Sequence, residues 1–539
     1  MGLYNHSPKS SIMRTALRGC AIGLATLAAL CLNSSGSELI ADCTRIRAGV
    51  PDANLHEGTP ETLVAPGFRL ELLAQGTDLL ENPSGPIVSF GFLNDKAQTK
   101  TEPDENTYLV LDHNPGGPSA GYDYGRHFLF QGHENGGNLA FVTRINLDVV
   151  NPDHRITLLT PVGKDGLTHY TRVDGSTYNP FSKTLLFSQE NGAAGGVFEL
   201  STEWDAATGA AAGIRDLYGS FGQGGYEGIH PDDRGNVYIV EDAGGARVNG
   251  AANPNSFVYR FVPTVASDLS QGKLQALQVS IKGTPLTFVP IDSTHPTGDI
   301  YSDNQLLLHT LGTSWPVKWV TVHDTAVDGT APFNANALAK KAGATPFKRP
   351  ENGQFQPGSK FQSFFFCNTG DTDANPGKDA SLVSRGTWGS IMRLDLDKTR
   401  DAGTLSTVFL SDADHASFDN VAFASHDVLL LTEDRGDGLH DQLNKLDSIW
   451  AIDVSKRPTS APARLVALGR DRFAAGVEDN EPTGLHYSDG DSTIKGLLGA
   501  RELRCNEAML FFTQQHGENN VYRVIGRGDN DDDRGEDRK

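Results

Sequence analysis

The sequence predicts an all-β chain folded as a six-bladed β-propeller with loop insertions. A strand-turn-strand-loop-strand pattern recurs six times from about residue 80 onward. The apolar runs within it are four to six residues long, a length that suits strands and is too short for ordinary helices. The 59 glycines and 27 prolines among 539 residues supply the turns that so many short strands need.

Taken in order, the chain opens with Lys9, Arg14 and Arg18 ahead of the apolar run AIGLATLAALCL, followed by NSSGS. This reads as an export signal over residues 1–37: the run is far shorter than the ~20 residues that span a bilayer, so cleavage is expected rather than anchoring. Arg14 and Arg18 are not adjacent, which does not support a twin-arginine signal. A single propeller domain follows over 38–525. Its first copy is TYLVLDHN, GRHFLFQGHENGG and LAFVTRINL, and its second is RVDGSTYNPFSKTLLFSQENGAAGGVFEL. The third and clearest is YEGIHPDDRGNVYIVEDAGG with SFVYRFVP. Then come RPENGQFQPGSKFQSFFFCNTGD with GSIMRLDL, SFDNVAFASHDVLLLTEDRGDG with DSIWAIDV, and NEPTGLHYSDGD with AMLFFTQQHGENNVYRV. Insertions are expected near Phe221 and over 326–349, and TSWPVKWVTV is expected to form an outer strand or a channel-lining loop. Residues 526–539, GRGDNDDDRGEDRK, have nothing apolar to bury and read as a disordered acidic tail.

A formal net charge of -21 argues against a nucleic-acid partner, which would want a basic face. The excess acid either serves solubility or gathers where cations bind. No second membrane segment follows the signal, so no stable membrane insertion is expected. Beyond the signal only Cys43, Cys367 and Cys505 remain, too few and too scattered for a zinc framework. Propellers commonly close by pairing an N-terminal segment with the last blade, which predicts a Cys43–Cys505 disulfide and leaves Cys367 as a buried thiol.

A propeller brings the first strand of every blade to a central channel, so an acid repeated in each copy becomes one member of a ring. The repeated acids are Glu134, Asp174, Glu190, Glu227 and Glu351, then Asp419 with Asn420, and Glu481. Second strands end in a further polar layer: Glu241 with Asp242, Asn368, Glu433 with Asp434, and Gln515 with His516. Any one such acid is accounted for by a turn that it caps. Together they point to cations, because carboxylates ~4 Å apart repel by ~4 kcal/mol per pair at a dielectric near 20. Many hard oxygen donors suit Ca²⁺. Glu241, Glu433 and Asp434 read as loop caps, and Asp242 as a loop residue. His127, His133, His169 and His516 read as structural histidines before proton donors. Arg247 and Arg385 are candidate channel arginines.

At these residues the chain resembles the PhoX-type alkaline phosphatase family, secreted metal-dependent propellers. YEGIHPDDRGNVYIVED with VYRFVP, RPENG from Arg349, FDNVAF from Phe418 and QHGE from Gln515 are similar to family elements in consistent order along nearly the whole mature chain. The resemblance implies a calcium-assisted di-iron centre that hydrolyses phosphate esters. Its ligands would be Glu190, Glu227, Glu351, Asp419, Asn420 and Glu481, with Glu134 matching an early element. One departure matters: a family Cys ligand falls on the stretch Val173, Asp174, Gly175, Ser176, and Gln189 replaces the first of a paired Glu. Oxygen does not tune iron as thiolate does, so calcium is expected and Fe³⁺ is questioned.

The expected function is thus an exported, periplasmic or extracellular hydrolase of small-molecule phosphate esters, with Glu227 and Glu351 as catalytic residues. A calcium-dependent lactonase or esterase propeller, and a non-enzymatic propeller stabilised by calcium, are the alternatives, since one fold hosts all three.

Overall fold

The computed structural model describes residues 49–51, 61–94, 99–371, 379–456, 459, 461–470, 480–504 and 507–526. The expected signal (1–37), Cys43, Cys505 and all of the expected tail except Gly526 lie outside the described residues. Among the described residues no helix is long and apolar enough to cross a membrane.

The chain is all-β and propeller-like. Six inner strands surround one axis: β1 (Pro103–Val110), β2 (Val173–Asn179), β3 (Tyr226–Pro231), β4 (Pro350–Phe355), β5 (Phe418–Phe423) and β6 (Glu481–Ser488). Each packs against the next, and β6 returns to β1. Outward from each run antiparallel partners, as tight turns between short apolar strands dictate. The apolar side chains fill the spaces between neighbouring sheets. Phe365, Ile391, Phe418, Leu429 and Trp450, for example, form one buried cluster between the sheets of β4 and β5.

Six separate blades are not what forms. Four sheets of four or five strands stand alone, those of β1, β2, β5 and β6, while β3 and β4 share one sheet of ten strands. The cause is the expected outer strand, Trp315–Asp324. One of its edges pairs with Asp268–Ile281 (Val279↔Val317) and the other with Ala402–Leu410 (Trp315↔Leu405), so hydrogen bonding runs unbroken across the seam. The expected insertion over 326–349 carries a helix, Ala335–Ala342, capped by Asn334 and stopped by Gly343 in the left-handed region.

The ring closes through strand Phe68–Ala74, which pairs with the last strand, Asn520–Gly526 (Phe68↔Gly526). Gly526 therefore belongs to a strand and not to the tail.

Every inner strand carries the same irregularity. In β1 the pairs Pro103↔His133 and Asn106↔Gln131 leave two residues, Asp104 and Glu105, against one on the neighbouring strand. Equivalent bulges hold Asp174 and Gly175, Glu227 and Gly228, Glu351 and Asn352, Asp419 and Asn420, and Gly484 and Leu485.

A candidate metal centre in the channel mouth

The first bulge residue turns toward the axis. Five strands therefore present Asp104, Asp174, Glu227, Glu351 and Asp419 as a buried carboxylate ring. The sixth position is Gly484. A Cβ there would stand 2.6 Å from the Asp104 carbonyl oxygen, and its φ of +59° suits glycine, so β6 brings backbone instead of an acid.

A second layer sits at the rim. Glu134, Glu190, Asp242 and Asp434 follow the second strands, and the backbone N–H of each donates to a carbonyl ahead of the bulge. The acceptors are Glu102 (2.7 Å), Arg172 (2.9 Å), Gly225 (2.8 Å) and Ser417 (2.8 Å). Glu102, Arg172 and Ser417 hold positive φ, as does Arg349, the equivalent residue ahead of Glu351. Ring and rim together enclose a cavity of ≈ 380 Å³.

Three carboxylate groups bring oxygens within 4.8 Å of one another: Asp104 with Glu134 and Asp174, Glu190 with Glu227 and Asp242, and Glu227 with Glu351 and Asp419. Glu227 belongs to two of them. Burial, more than anything else, raises the pKa of Asp104 to about 7, and that of Glu105 behind it to about 8. Burial first, and neighbouring carboxylates after it, hold Glu134, Asp174, Glu227, Glu351 and Asp419 well above the usual carboxylate range. Asp104 Oδ1 and Asp242 Oδ1 are buried without a hydrogen-bond partner. An all-oxygen donor set with orphaned lone pairs fits a hard cation. It offers iron no thiolate among the described residues: the ring position on β2 is Asp174, and the buried Cys367 does not line the cavity, its thiol donating to the carbonyls of Asn352 (3.4 Å) and Asp419.

Arginines answer part of the charge. Arg349 reaches Asp242 (2.6 Å) and Glu351 (3.1 Å), and Arg172 reaches Glu190 (2.9 Å) and Glu134 (3.4 Å). Gln515 Nε2 donates to Asp104 Oδ2 (3.0 Å) and Glu134 Oε2 (3.2 Å), and His516 lies between Glu102 (3.7 Å) and Glu481 (3.8 Å).

The sequence-derived set divides accordingly. Asp174, Glu227, Glu351 and Asp419 lie in the ring, Glu134 and Glu190 in the rim. Glu481 lines the cavity three residues ahead of the ring position of its strand. Asn420 does not line the cavity. Its Nδ2 donates to Asp419 Oδ1 (2.9 Å) and its Oδ1 accepts from Leu485 N (3.3 Å), so it positions its neighbour. Asp104, Glu102, Arg172 and Arg349 are further members. Asp104 has a signal in Pro103-Asp104-Glu105-Asn106, which echoes Pro350-Glu351-Asn352.

Asp242 and Asp434, expected in loops, line the cavity, whereas Glu241 and Glu433 stay structural. Glu241 accepts from Tyr259 Oη (3.0 Å) and Glu433 from Arg435 (2.6 Å). Arg247 and Arg385 lie away from the cavity and bond to the carbonyls of Gly250 and Ser302. His133 is buried on Thr101 and Thr143, while His127 and His169 pair with Asp148 and Asp165. Gln189 bonds Tyr218 Oη (2.7 Å).

The sequence profile described as alkaline phosphatase PhoX matches residues 165–494. No curated protein sequence matches the chain. Among solved structures, PhoX of Pseudomonas fluorescens in complex with vanadate, a transition state analogue, is 12% identical with a TM-score of 0.52, covering 90% of this chain and 98% of that one. A gluconolactonase of Xanthomonas campestris is 9% identical at a TM-score of 0.34, over 89% and 98%. A carbohydrate-active enzyme of family AA12 from Trichoderma reesei is 10% identical at 0.32, over 87% and 98%. With more than half of its length matched by the profile, the chain belongs to the alkaline phosphatase PhoX family.

Proposed function

We propose that the chain is an exported hydrolase of small-molecule phosphate esters whose reaction depends on Ca²⁺ held by the ring and rim carboxylates. Family membership supports the reaction class, and the shared role of Glu227 in two carboxylate groups is the observation that carries the site. Calcium is supported by the all-oxygen donors; export is supported by the signal-like N-terminus and by the family's own location. Asp104, Glu134, Asp174, Glu190, Glu227, Asp242, Glu351 and Asp419 would hold the cations. A bound cation supplies Lewis acidity, which draws in phosphoryl oxygens and acidifies water.

The chain's own residues do the rest. Glu227, shared between two groups, fixes their spacing, and Glu351 is held against Arg349 so that it stays aimed at the axis. Asn420 orients Asp419, and Gln515 ties Asp104 to Glu134. Donors held this way need little rearrangement as charge develops on the phosphoryl group. In the absence of the thiolate, turnover is expected to respond to calcium more than to iron.

The test is hydrolysis of p-nitrophenyl phosphate, a phosphodiester and a lactone by the mature protein, stripped of metal and then reloaded. Phosphate-ester turnover should return with calcium, and Glu227→Gln or Glu351→Gln should lower kcat by ~10²–10³ while the fold survives. Asp242→Asn should lower metal content with them. Metal-loaded protein that turns over none of the three substrates, or only the lactone, would reject the proposal.

A further inference from the structure

Arg172 and Arg349 stand at equivalent places, each two residues ahead of a ring carboxylate and each in the left-handed region, with φ of 47° and 55°. Their engagements differ. Arg349 is 21% exposed and commits both Nε and Nη2: Nε donates to Asp242 at 2.7 Å, while Nη2 reaches Asp242 at 2.6 Å and Glu351 at 3.1 Å. Arg172 is 51% exposed and commits Nη1 alone, to Glu190 at 2.9 Å and Glu134 at 3.4 Å. Its Nε and Nη2 meet no protein acceptor among the described residues.

Its backbone is fixed on both sides. Arg172 N donates to Asn135 O (2.9 Å), and its carbonyl accepts from Glu190 N (2.9 Å). A non-glycine residue keeps a left-handed conformation when its surroundings over-determine it, and such strain gathers at functional sites. Eleven carboxylates and two arginines line the cavity, so an incoming phosphoryl dianion meets a strongly acidic wall. Arg172 offers the half of a guanidinium that is not already engaged.

We propose that Arg172 is a substrate-binding residue that grips the phosphoryl group of a monoester through Nε and Nη2, and so sets a preference for monoesters over diesters. The inference rests on the phosphate-ester reading. A guanidinium fork matches two oxygens of a phosphate. A monoester has three non-bridging oxygens and can serve the cation site and the fork together. A diester has two, and the cation site competes for both. Glu134 and Glu190 aim the fork by anchoring Nη1.

Metal-loaded wild type, Arg172→Ala and Arg172→Lys are compared by phenyl phosphate and phosphodiester kinetics, by calorimetric titration with inorganic phosphate, and by metal analysis. Arg172→Ala should raise KM for the monoester and Kd for phosphate by at least tenfold, leave the diester KM within about twofold, and retain its metal. Arg172→Lys keeps the charge without the fork and should recover part of the loss; it also serves if the alanine variant does not fold. Phosphate binding and monoester KM equal to wild type in both variants would overturn the proposal. So would a weakening that tracks lost metal, which assigns Arg172 to charge balance alone. Wild type that holds metal yet neither binds phosphate nor hydrolyses esters would instead remove the phosphate-ester reading, and this inference with it.

Discussion

Metal-free protein should lose stability as pH rises, and calcium should suppress that loss. Glu105 is the residue from which to work the size. Its Oε2 accepts from Ser176 N (2.7 Å), Oε1 has no partner, and burial lifts its pKa from 4.5 to about 8. Across that interval the unfolded chain has released the proton while the folded chain still holds it. The folded state then binds more protons, and its stability falls as pH rises toward the folded pKa, levelling above it. At ~1.36 kcal/mol per pH unit, that interval amounts to about 5 kcal/mol from Glu105 alone, of which about 3 kcal/mol falls above pH about 5.5. Asp104, raised to about 7, acts with the same sign. Urea denaturation of chelated protein at pH about 5.5 and about 8.5 reads the difference, and Glu105→Gln should reduce it by that residue's share. A cation in the ring repays part of the charge repulsion and adds about 2.7 kcal/mol at a hundredfold excess over Kd. Stability of chelated protein that is flat or rises between those pH values, or a slope unchanged in Glu105→Gln, would refute the reasoning.

Two further outcomes are expected. Gly484→Ala places a methyl group 2.6 Å from Asp104 O and 2.7 Å from Asn106 Nδ2 at a positive φ, and should destabilise by ~2–4 kcal/mol in urea melts; a neutral variant would remove the claim of close backbone approach. Cys367, fully buried with its pKa raised well above the usual thiol range first by burial, should resist alkylation until the protein unfolds, and rapid labelling of native protein would contradict its placement.

Glu227, Glu351 and Asp419 were legible because each opens a copy whose apolar runs are clean enough to count, and order along the chain does the rest. What the sequence could not convey was level. Glu134 and Glu190 read like ring members, yet they follow second strands and stand at the rim, because an acid at a strand end looks the same on either strand. Asp104 was hidden ahead of TYLVL, where the polar bulge Asp104-Glu105 interrupts the apolar pattern that marks a strand. Arg172 and Arg349 each open a copy, RVDG and RPENG, but nothing in those motifs says that their side chains reach across the cavity to acids on neighbouring strands. The merging of two sheets through Trp315–Asp324 likewise depends on a strand offering both its edges, a tertiary event that repeat counting does not register.

The recurring bulge separates what the fold needs from what the chemistry needs. Because the axis-facing residue sits where two residues oppose one, it lies outside the regular ladder, and the pairs on either side keep the same register whether that residue is an aspartate, a glutamate or Gly484. Each inner strand thus offers the axis one socket. An aspartate, a glutamate or, on β6, a glycine fills that socket with the same pairing around it. A lineage built this way can change the ions it recruits one position at a time, while selection for folding acts on a different set of residues altogether.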